Sequence, residues 1–266
     1  MPAPDPRPIR CDPVTADDSD HLLAAELAAE AGRLLVALRA ELVAAGAPAG
    51  ELKAEGDRQA HELLMARLRS ARPNDAVLSE EGKDDLARLG ADRVWIVDPL
   101  DGTREFSEPP RTDWAVHVAL VIDSSPVAGA VALPGIDLVL STADAPRLRP
   151  DPAVPPRMLV SRTRPPAAAT HVAEALSADL VEMGSAGAKT MAVVRGEAEI
   201  YAHSGGQFEW DSCAPVAVAA AAGCHVSRID GSPLRYNQPD TYLPDLLVCR
   251  PELAGPALAA LHNFEG

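Results

Sequence analysis

Two aspartates three residues apart, Asp98 and Asp101, stand in the segment Trp95-Ile-Val-Asp-Pro-Leu-Asp-Gly-Thr-Arg-Glu-Phe106. Carboxylates at that spacing at a strand end can converge on one point, and the Leu100 carbonyl between them is a further oxygen ligand. Hard divalent cations prefer such an all-oxygen set. Gly102 lets the backbone approach closely, and a helix starting just after it would aim free N–H groups at an anion. A cation next to an anion cradle is the equipment of phosphate-ester chemistry.

These side chains need elements to hold them. The apolar run Val94 to Val97 predicts a strand that delivers Asp98 into a Pro-Leu turn. Upstream, the acidic cluster Asp17 to Asp20 predicts a helix start, and leucines from Leu22 to Leu38 keep helical spacing to Gly46. A Gly/Pro/Ala loop over 46–50 then leads to a second helix expected to begin near Asp57. Ala76 to Ser79 reads as a short buried strand, followed by Glu80-Glu81-Gly82. Trp114 to Ile122, Val127 to Leu133 and Asp137 to Ser141 read as an antiparallel series. Five prolines between Thr142 and Pro156 mark a connection between two lobes, 1–145 and 146–266. Beyond it, short strands at 158–160, 180–181, 200–201 and 246–248 alternate with Ala-rich helices near 167–177, 186–195 and 211–222, an α/β pattern. The first fifteen residues are Pro-rich and are expected to fray.

Charge narrows the partners. With 39 acidic against 24 basic residues the chain carries −15, which argues against nucleic-acid polymers and anionic membranes. An anionic phosphate substrate would then need bound cations to be tolerated. The four cysteines are scattered with no C-x-x-C pair, so reduced thiols in a cytoplasmic protein are expected. The N-terminus lacks a signal-peptide profile, and no stretch approaches the ~18 apolar residues of a membrane span.

Asp98-Pro-Leu-Asp-Gly-Thr103, with Glu80-Glu81 upstream and Trp210-Asp211 downstream, resembles the inositol monophosphatase superfamily of magnesium-dependent, lithium-sensitive phosphatases. The resemblance runs from about Leu22 to Cys249 and implies a five-layered αβαβα sugar-phosphatase-like fold (α+β/α/β), two lobes with the site between them. It also implies two or three Mg2+ held by Glu80, Asp98, Asp101, Asp211 and the Leu100 carbonyl, with Thr103 and Asp57 as a water-activating pair. Gly102 and Thr103 would bind the phosphate through their N–H groups. Where the family usually reads Pro-Val-Thr-x-x-Asp, this chain has Leu52-Lys-Ala-Glu-Gly-Asp57, so the local geometry there departs from the pattern. Any one of these acids alone could equally be a surface acid or a helix cap.

Arg104-Glu105-Phe106 and the Glu209 before Trp210-Asp211 resemble the 3'(2'),5'-bisphosphate nucleotidases, which remove the 3'-phosphate of 3'-phosphoadenosine 5'-phosphate in sulfate assimilation. Arg104, Glu209 and Asp211 are therefore candidate substrate contacts, the bland alternative for Arg104 being a solvated charge. Gly184-Ser185-Ala186-Gly187 followed by Lys189 offers hydroxyl, backbone and charge to a nucleotide, or simply permits close packing. Other superfamily substrates, inositol 1-phosphate and fructose 1,6-bisphosphate, and a non-catalytic metal or nucleotide sensor are the alternatives. The resemblance allows a homodimer but identifies no interface. His117, inside an apolar run, reads as a satisfied core residue, and Cys213 has no paired His to make it a nucleophile. Haloacid-dehalogenase phosphatases use Asp-x-Asp near the N-terminus, whereas this spacing is Asp-x-x-Asp some hundred residues in.

Overall fold

A computed structural model describes residues 15–148, 152–163 and 165–264. The expected fraying of the N-terminal segment concerns residues that, but for Thr15, lie outside this range, as does part of the Pro-rich connection. Asp17 opens α1 (Asp18–Ala44): its Oδ1 accepts the Ser19 and Asp20 amides at 2.8 and 3.2 Å, and Asp20 accepts the Asp17 amide at 3.1 Å. This reciprocal box satisfies amides that a helix start leaves free. The second helix, α2, runs Ala49–Ala71, so it begins about two turns before Asp57 rather than at it. Gly50 and Gly56, which suggest a loop by type, both lie inside it. Gly56 is fixed by packing, because a Cβ there would come within 2.8 Å of Leu100 and 2.9 Å of Phe106.

The first sheet has strand order β1-β2-β3-β4-β5: β1 (Ala76–Ser79), β2 (Val94–Asp101), β3 (Ala115–Ile122), β4 (Ser125–Leu133) and β5 (Leu138–Ser141). β1 pairs with β2 in parallel, and the others are antiparallel. Every residue of β2 and β3 is buried, which explains their continuous rather than alternating apolar pattern. β2 also runs on through Asp98 to Asp101, with an irregularity where the Pro-Leu turn was expected. A single turn, α3 (Thr103–Phe106), follows it.

The second sheet has order β7-β6-β8-β10-β9, built from β6 (Arg157–Ser161), β7 (Asp179–Met183), β8 (Ile200–Phe208), β9 (His225–Ser227) and β10 (Tyr242–Cys249). Helices α4 (Ala167–Leu176) and α7 (Pro251–His262) cover its outer face. Helices α5 (Ala186–Val194) and α6 (Glu209–Ala221) lie between the two sheets, and α1 and α2 cover the first sheet from outside. The chain is thus five-layered, αβαβα. Three apolar clusters fill the spaces between layers, and the largest joins both sheets through α5 and α6. The sequence reading missed β9, which is only three residues long, and α7, which carries Pro251 and Pro256. Pro251 sits in the first turn, where its missing N–H costs nothing.

The start of the first sheet is pinned by one buried carboxylate. Asp20 pairs with Arg93 at 2.7 Å and Arg72 at 2.9 Å, while Arg93 also pairs with Asp75 at 3.0 Å and Trp95 donates to Asp75 at 2.8 Å. Arg93 and Asp75 immediately precede β2 and β1, so the network fixes the near ends of the two strands whose far ends carry the acids. Burial by itself raises the Asp20 pKa, but the Arg93 contact, the Asp17 amide and Arg72 bring it below the usual value. Unfolded Asp titrates near about 3.9. The ion pairs therefore contribute fully above that pH and are lost as pH falls through the lower folded value. Asp20→Asn is expected to cost about 2–4 kcal/mol at pH 7, and the gap from wild type should begin to narrow only below about pH 3.9 in denaturant melts.

Candidate active site

Strand β2 ends at the heart of the site. Asp98 and Asp101 point from it toward Asp211, in the first turn of α6, and carboxylate oxygens of all three lie within 4.8 Å of one another. Asp211 is the third helical residue rather than the cap, and it accepts the Phe208 amide at 2.6 Å. The β1–β2 pairing continues one residue beyond β1, Glu80 N–H donating to Val97 O at 3.3 Å, which brings Glu80 beside Asp98. The Leu100 carbonyl accepts the Thr103 hydroxyl at 3.1 Å.

This crowding of acids sets their protonation. Burial raises the Asp98 pKa well above the ordinary carboxylate value, and Glu80, Asp101 and Asp211 push it further. Desolvation lifts Glu80 to about 7 and Asp211 to about 6, with neighbouring carboxylates adding to both. Asp98 Oδ1 accepts the Leu100 amide at 3.0 Å, whereas Oδ2 is buried without a partner. A buried carboxylate oxygen lacking a donor, surrounded by acids, fits a divalent cation.

Asp101 is the exception. Burial would raise it, but His117, Ser185 and the Gly187 amide hold it down to about 2. Its Oδ2 accepts Ser185 Oγ and Gly187 N–H, each at 2.6 Å, and its Oδ1 accepts Ala186 N–H at 3.2 Å. His117 Nε2 lies 3.2 Å from Oδ2. On the other side of the ring Nδ1 donates to the Trp210 carbonyl at 3.0 Å. Burial alone would depress this imidazole; Asp101 carries it above its ordinary value. A Cβ on Gly187 would collide with the ring, so glycine is required there. His117 is therefore more than a satisfied core residue, since it bridges Asp101 to the residue before Asp211. The antiparallel register, which sets His117 opposite Asp98, is the signal that could have revealed it.

The Thr103 hydroxyl lies 3.4 Å from Asp57 Oδ1 and 3.1 Å from Leu100 O, and its single proton serves one of them at a time. Burial, with Glu81 nearby, lifts Asp57 to about 6. Gly102, at φ 85°, turns the chain from β2 into α3. Its missing Cβ would meet Ser185 Cβ at 3.1 Å, so close approach as well as handedness selects glycine.

Of the remaining candidates, Ser185 alone reaches the acids directly, through Asp101. Arg104 is exposed and pairs with Glu108 at 3.5 Å. Glu209 is buried, its carboxylate accepting the Asn237 and Gln238 amides at 2.6 and 2.8 Å, so it holds a loop instead of facing a substrate. Lys189 is also buried, and its ammonium donates to the Gly184 and Ser185 carbonyls at 3.0 and 2.8 Å. Ser185, besides holding Asp101, accepts the Ala188 amide at 2.9 Å. Ser185 and Lys189 shape the 184–187 loop around Asp101.

The layered fold and the buried acid cluster define a metal-dependent phosphatase class. The model of the inositol monophosphatase family matches residues 18–263, and the chain belongs to that family. It is 54% identical over 240 residues to the 3'-phosphoadenosine 5'-phosphate phosphatase of Mycobacterium tuberculosis, covering 87% of this chain and 89% of that one. It is 33% identical over 198 residues to the 3'(2'),5'-bisphosphate nucleotidase CysQ of Escherichia coli, covering 70% and 80%. Among solved structures it resembles CysQ from Bacteroides thetaiotaomicron with a TM-score of 0.71 at 29% identity, covering 88% and 97%. No helix among the described residues is long and apolar enough to cross a membrane.

Groups that orient a metal ligand from behind typically carry tenfold to a hundredfold, roughly, in metal affinity. His117→Ala is expected to weaken divalent-cation binding by that order in a calorimetric titration while the fold persists. Unchanged affinity would show that the imidazole only fills space.

Proposed function

We propose that this chain is a Mg2+-dependent phosphoric monoester hydrolase that converts 3'-phosphoadenosine 5'-phosphate and water to AMP and phosphate, a cytoplasmic step of sulfate assimilation. The observation that carries the chemistry is the buried Asp98, Asp101 and Asp211 cluster with the unpartnered Asp98 Oδ2. The substrate rests on the relatives that share about half of its residues. We read 1–145 as the lobe supplying Asp57, Glu80, Asp98, Leu100, Asp101 and Thr103, and 146–266 as the lobe supplying Asp211.

Glu80, Asp98, Asp101, Asp211 and the Leu100 carbonyl would hold two or three Mg2+. When bound, such cations polarise the phosphate oxygens and make a water more acidic. The protein's part is orientation and proton transfer. Thr103, donating its own proton toward Asp57, keeps a lone pair with which to accept a hydrogen bond from the attacking water. Asp57, near pKa 6, is matched to take a proton through the Thr103 hydroxyl at neutral pH. Water adds to phosphorus, the bond to the ribose 3'-oxygen breaks, and that oxygen becomes the 3'-hydroxyl of AMP by taking up a proton from solvent, which balances the one passed to Asp57. The Gly102 and Thr103 amides cradle the phosphate at the start of α3.

Asp101→Asn is expected to cut kcat at least about a thousandfold, several kcal/mol of transition-state stabilisation, with circular dichroism unchanged. Retained activity would remove Asp101 from the metal set. With Mg2+ present, kcat/KM for 3'-phosphoadenosine 5'-phosphate should exceed that for inositol 1-phosphate and fructose 1,6-bisphosphate by roughly tenfold or more, about 1.4 kcal/mol. Equal or reversed rates would move the substrate to an inositol or sugar phosphate and keep the mechanism. No release from any of the three would favour a sensor. Lithium should inhibit the magnesium-supported reaction, and insensitivity would count against that family trait.

A further inference from the structure

Aromatic side chains are rare in this chain, which has three Trp, three Tyr and three Phe in 266 residues. Most are buried, as Trp95, Trp114, Phe106, Tyr201 and Tyr236 are. Among the described residues the large exposed aromatics are Phe208 and Tyr242, at 45% and 48%. Both belong to one cluster. Phe208 stacks on Trp210 with ring centroids 4.9 Å apart and an interplanar angle of 13°, and Tyr242 meets Phe208 edge-on at 6.3 Å.

The backbone builds this cluster deliberately. Tyr242 and Phe208 are cross-strand partners where β10 meets the end of β8. A Cβ on Gly206 would collide with the Tyr242 ring, so the glycine lets that ring lie over the strand. Gly205 and Gly206 both have positive φ, 110° and 89°, and bend the strand just before Phe208. Exposure of two large rings costs hydrophobic free energy that burial would recover. The cluster adjoins the acids directly, because the Phe208 amide is the donor held by Asp211 at 2.6 Å. The backbone that carries the Phe208 ring therefore lies against the acids at which cations would hold a phosphate.

We propose that Phe208, backed by Trp210 and flanked by Tyr242, is the stacking platform for the purine base of the substrate. This inference rests on the nucleotide reading above and deepens it. The platform supplies what the metal cluster lacks, since carboxylates and cations grip a phosphate whatever it is attached to. Aromatic stacking is sequence-tolerant and adds roughly 1–3 kcal/mol per base, and it does so without adding positive charge to a chain of −15. It also reassigns substrate discrimination away from Glu209 and Lys189, whose polar groups are engaged by backbone.

The test compares AMP with ribose 5-phosphate, which differ by the base, as ligands of the magnesium-loaded protein. Trp210 is the most accessible of the tryptophans among the described residues, so its emission can follow binding alongside equilibrium dialysis. Wild type should bind AMP more tightly than ribose 5-phosphate. Phe208→Ala should shrink that preference by roughly tenfold to a hundredfold. The ratio of kcat/KM between 3'-phosphoadenosine 5'-phosphate and inositol 1-phosphate should fall in parallel. Phe208→Tyr should restore both. An AMP preference that survives in Phe208→Ala overturns the platform but leaves the nucleotide reading standing. A wild type that shows no preference for AMP and favours inositol 1-phosphate overturns that reading and the platform with it. A change in assembly size in Phe208→Ala, with AMP affinity intact, overturns the platform in favour of contact between copies of the chain.

Discussion

The repulsion between carboxylates packed out of water governs the centre of this molecule. Asp98, Asp101 and Asp211 come within 4.8 Å of one another, and Glu80 stands against Asp98. Like charges that close in a low dielectric cannot all stay ionised without compensation. The protein compensates one of them far more than the others. Asp101 has two amides, a hydroxyl and an imidazole around it and stays anionic, whereas Asp98 has one amide and an orphaned oxygen. The unbalanced acids are a demand for cations built into the fold, and a cation that meets the demand stabilises the folded state as it binds.

The layering exists to impose that crowding. Asp98 and Asp101 come from the first sheet, while Asp211 comes from a helix that precedes the last strands of the second. Helix α6 can reach the first sheet because both surfaces are small: a Cβ on Gly129 of β4 would come within 2.9 Å of Ala217. The abundant alanine that reads as bland composition is what lets helices sit this close between two sheets. Gly56 does the same for α2, seating it on Leu100 and Phe106 so that Asp57 reaches Thr103. Close approach bought with missing side chains replaces the large aromatic core that this chain lacks.

Much of the fold was legible because the central strands β2 and β3 are buried throughout and announce themselves as apolar runs between turn residues. Asp98 and Asp101 were legible for a similar reason, since both stand at the end of one such run beside Gly102 and Thr103. Helix boundaries were harder. Gly50 and Gly56 look like a loop because residue type reports backbone freedom and not the packing that overrules it. His117 is buried in the core as read, but its approach to Asp101 was not legible because it depends on register, which sets His117 opposite Asp98 across two strands.

The 184–187 loop shows why type and spacing stop short of a role. Hydroxyl, amide and ammonium groups near a phosphatase motif suggest a grip on the substrate's anion. Here the anion they serve is the protein's own. Ser185 and two amides hold the Asp101 carboxylate, and Lys189 ties down the carbonyls of the same turn from beneath. Asp113 accepts the Gly184 amide at 2.7 Å, and Glu105 fills the space that a Cβ on Gly184 would occupy. Chemically a phosphate and a carboxylate ask for the same donors. Only the three-dimensional arrangement tells a loop that grips a bound anion from one that fixes a carboxylate of the protein itself.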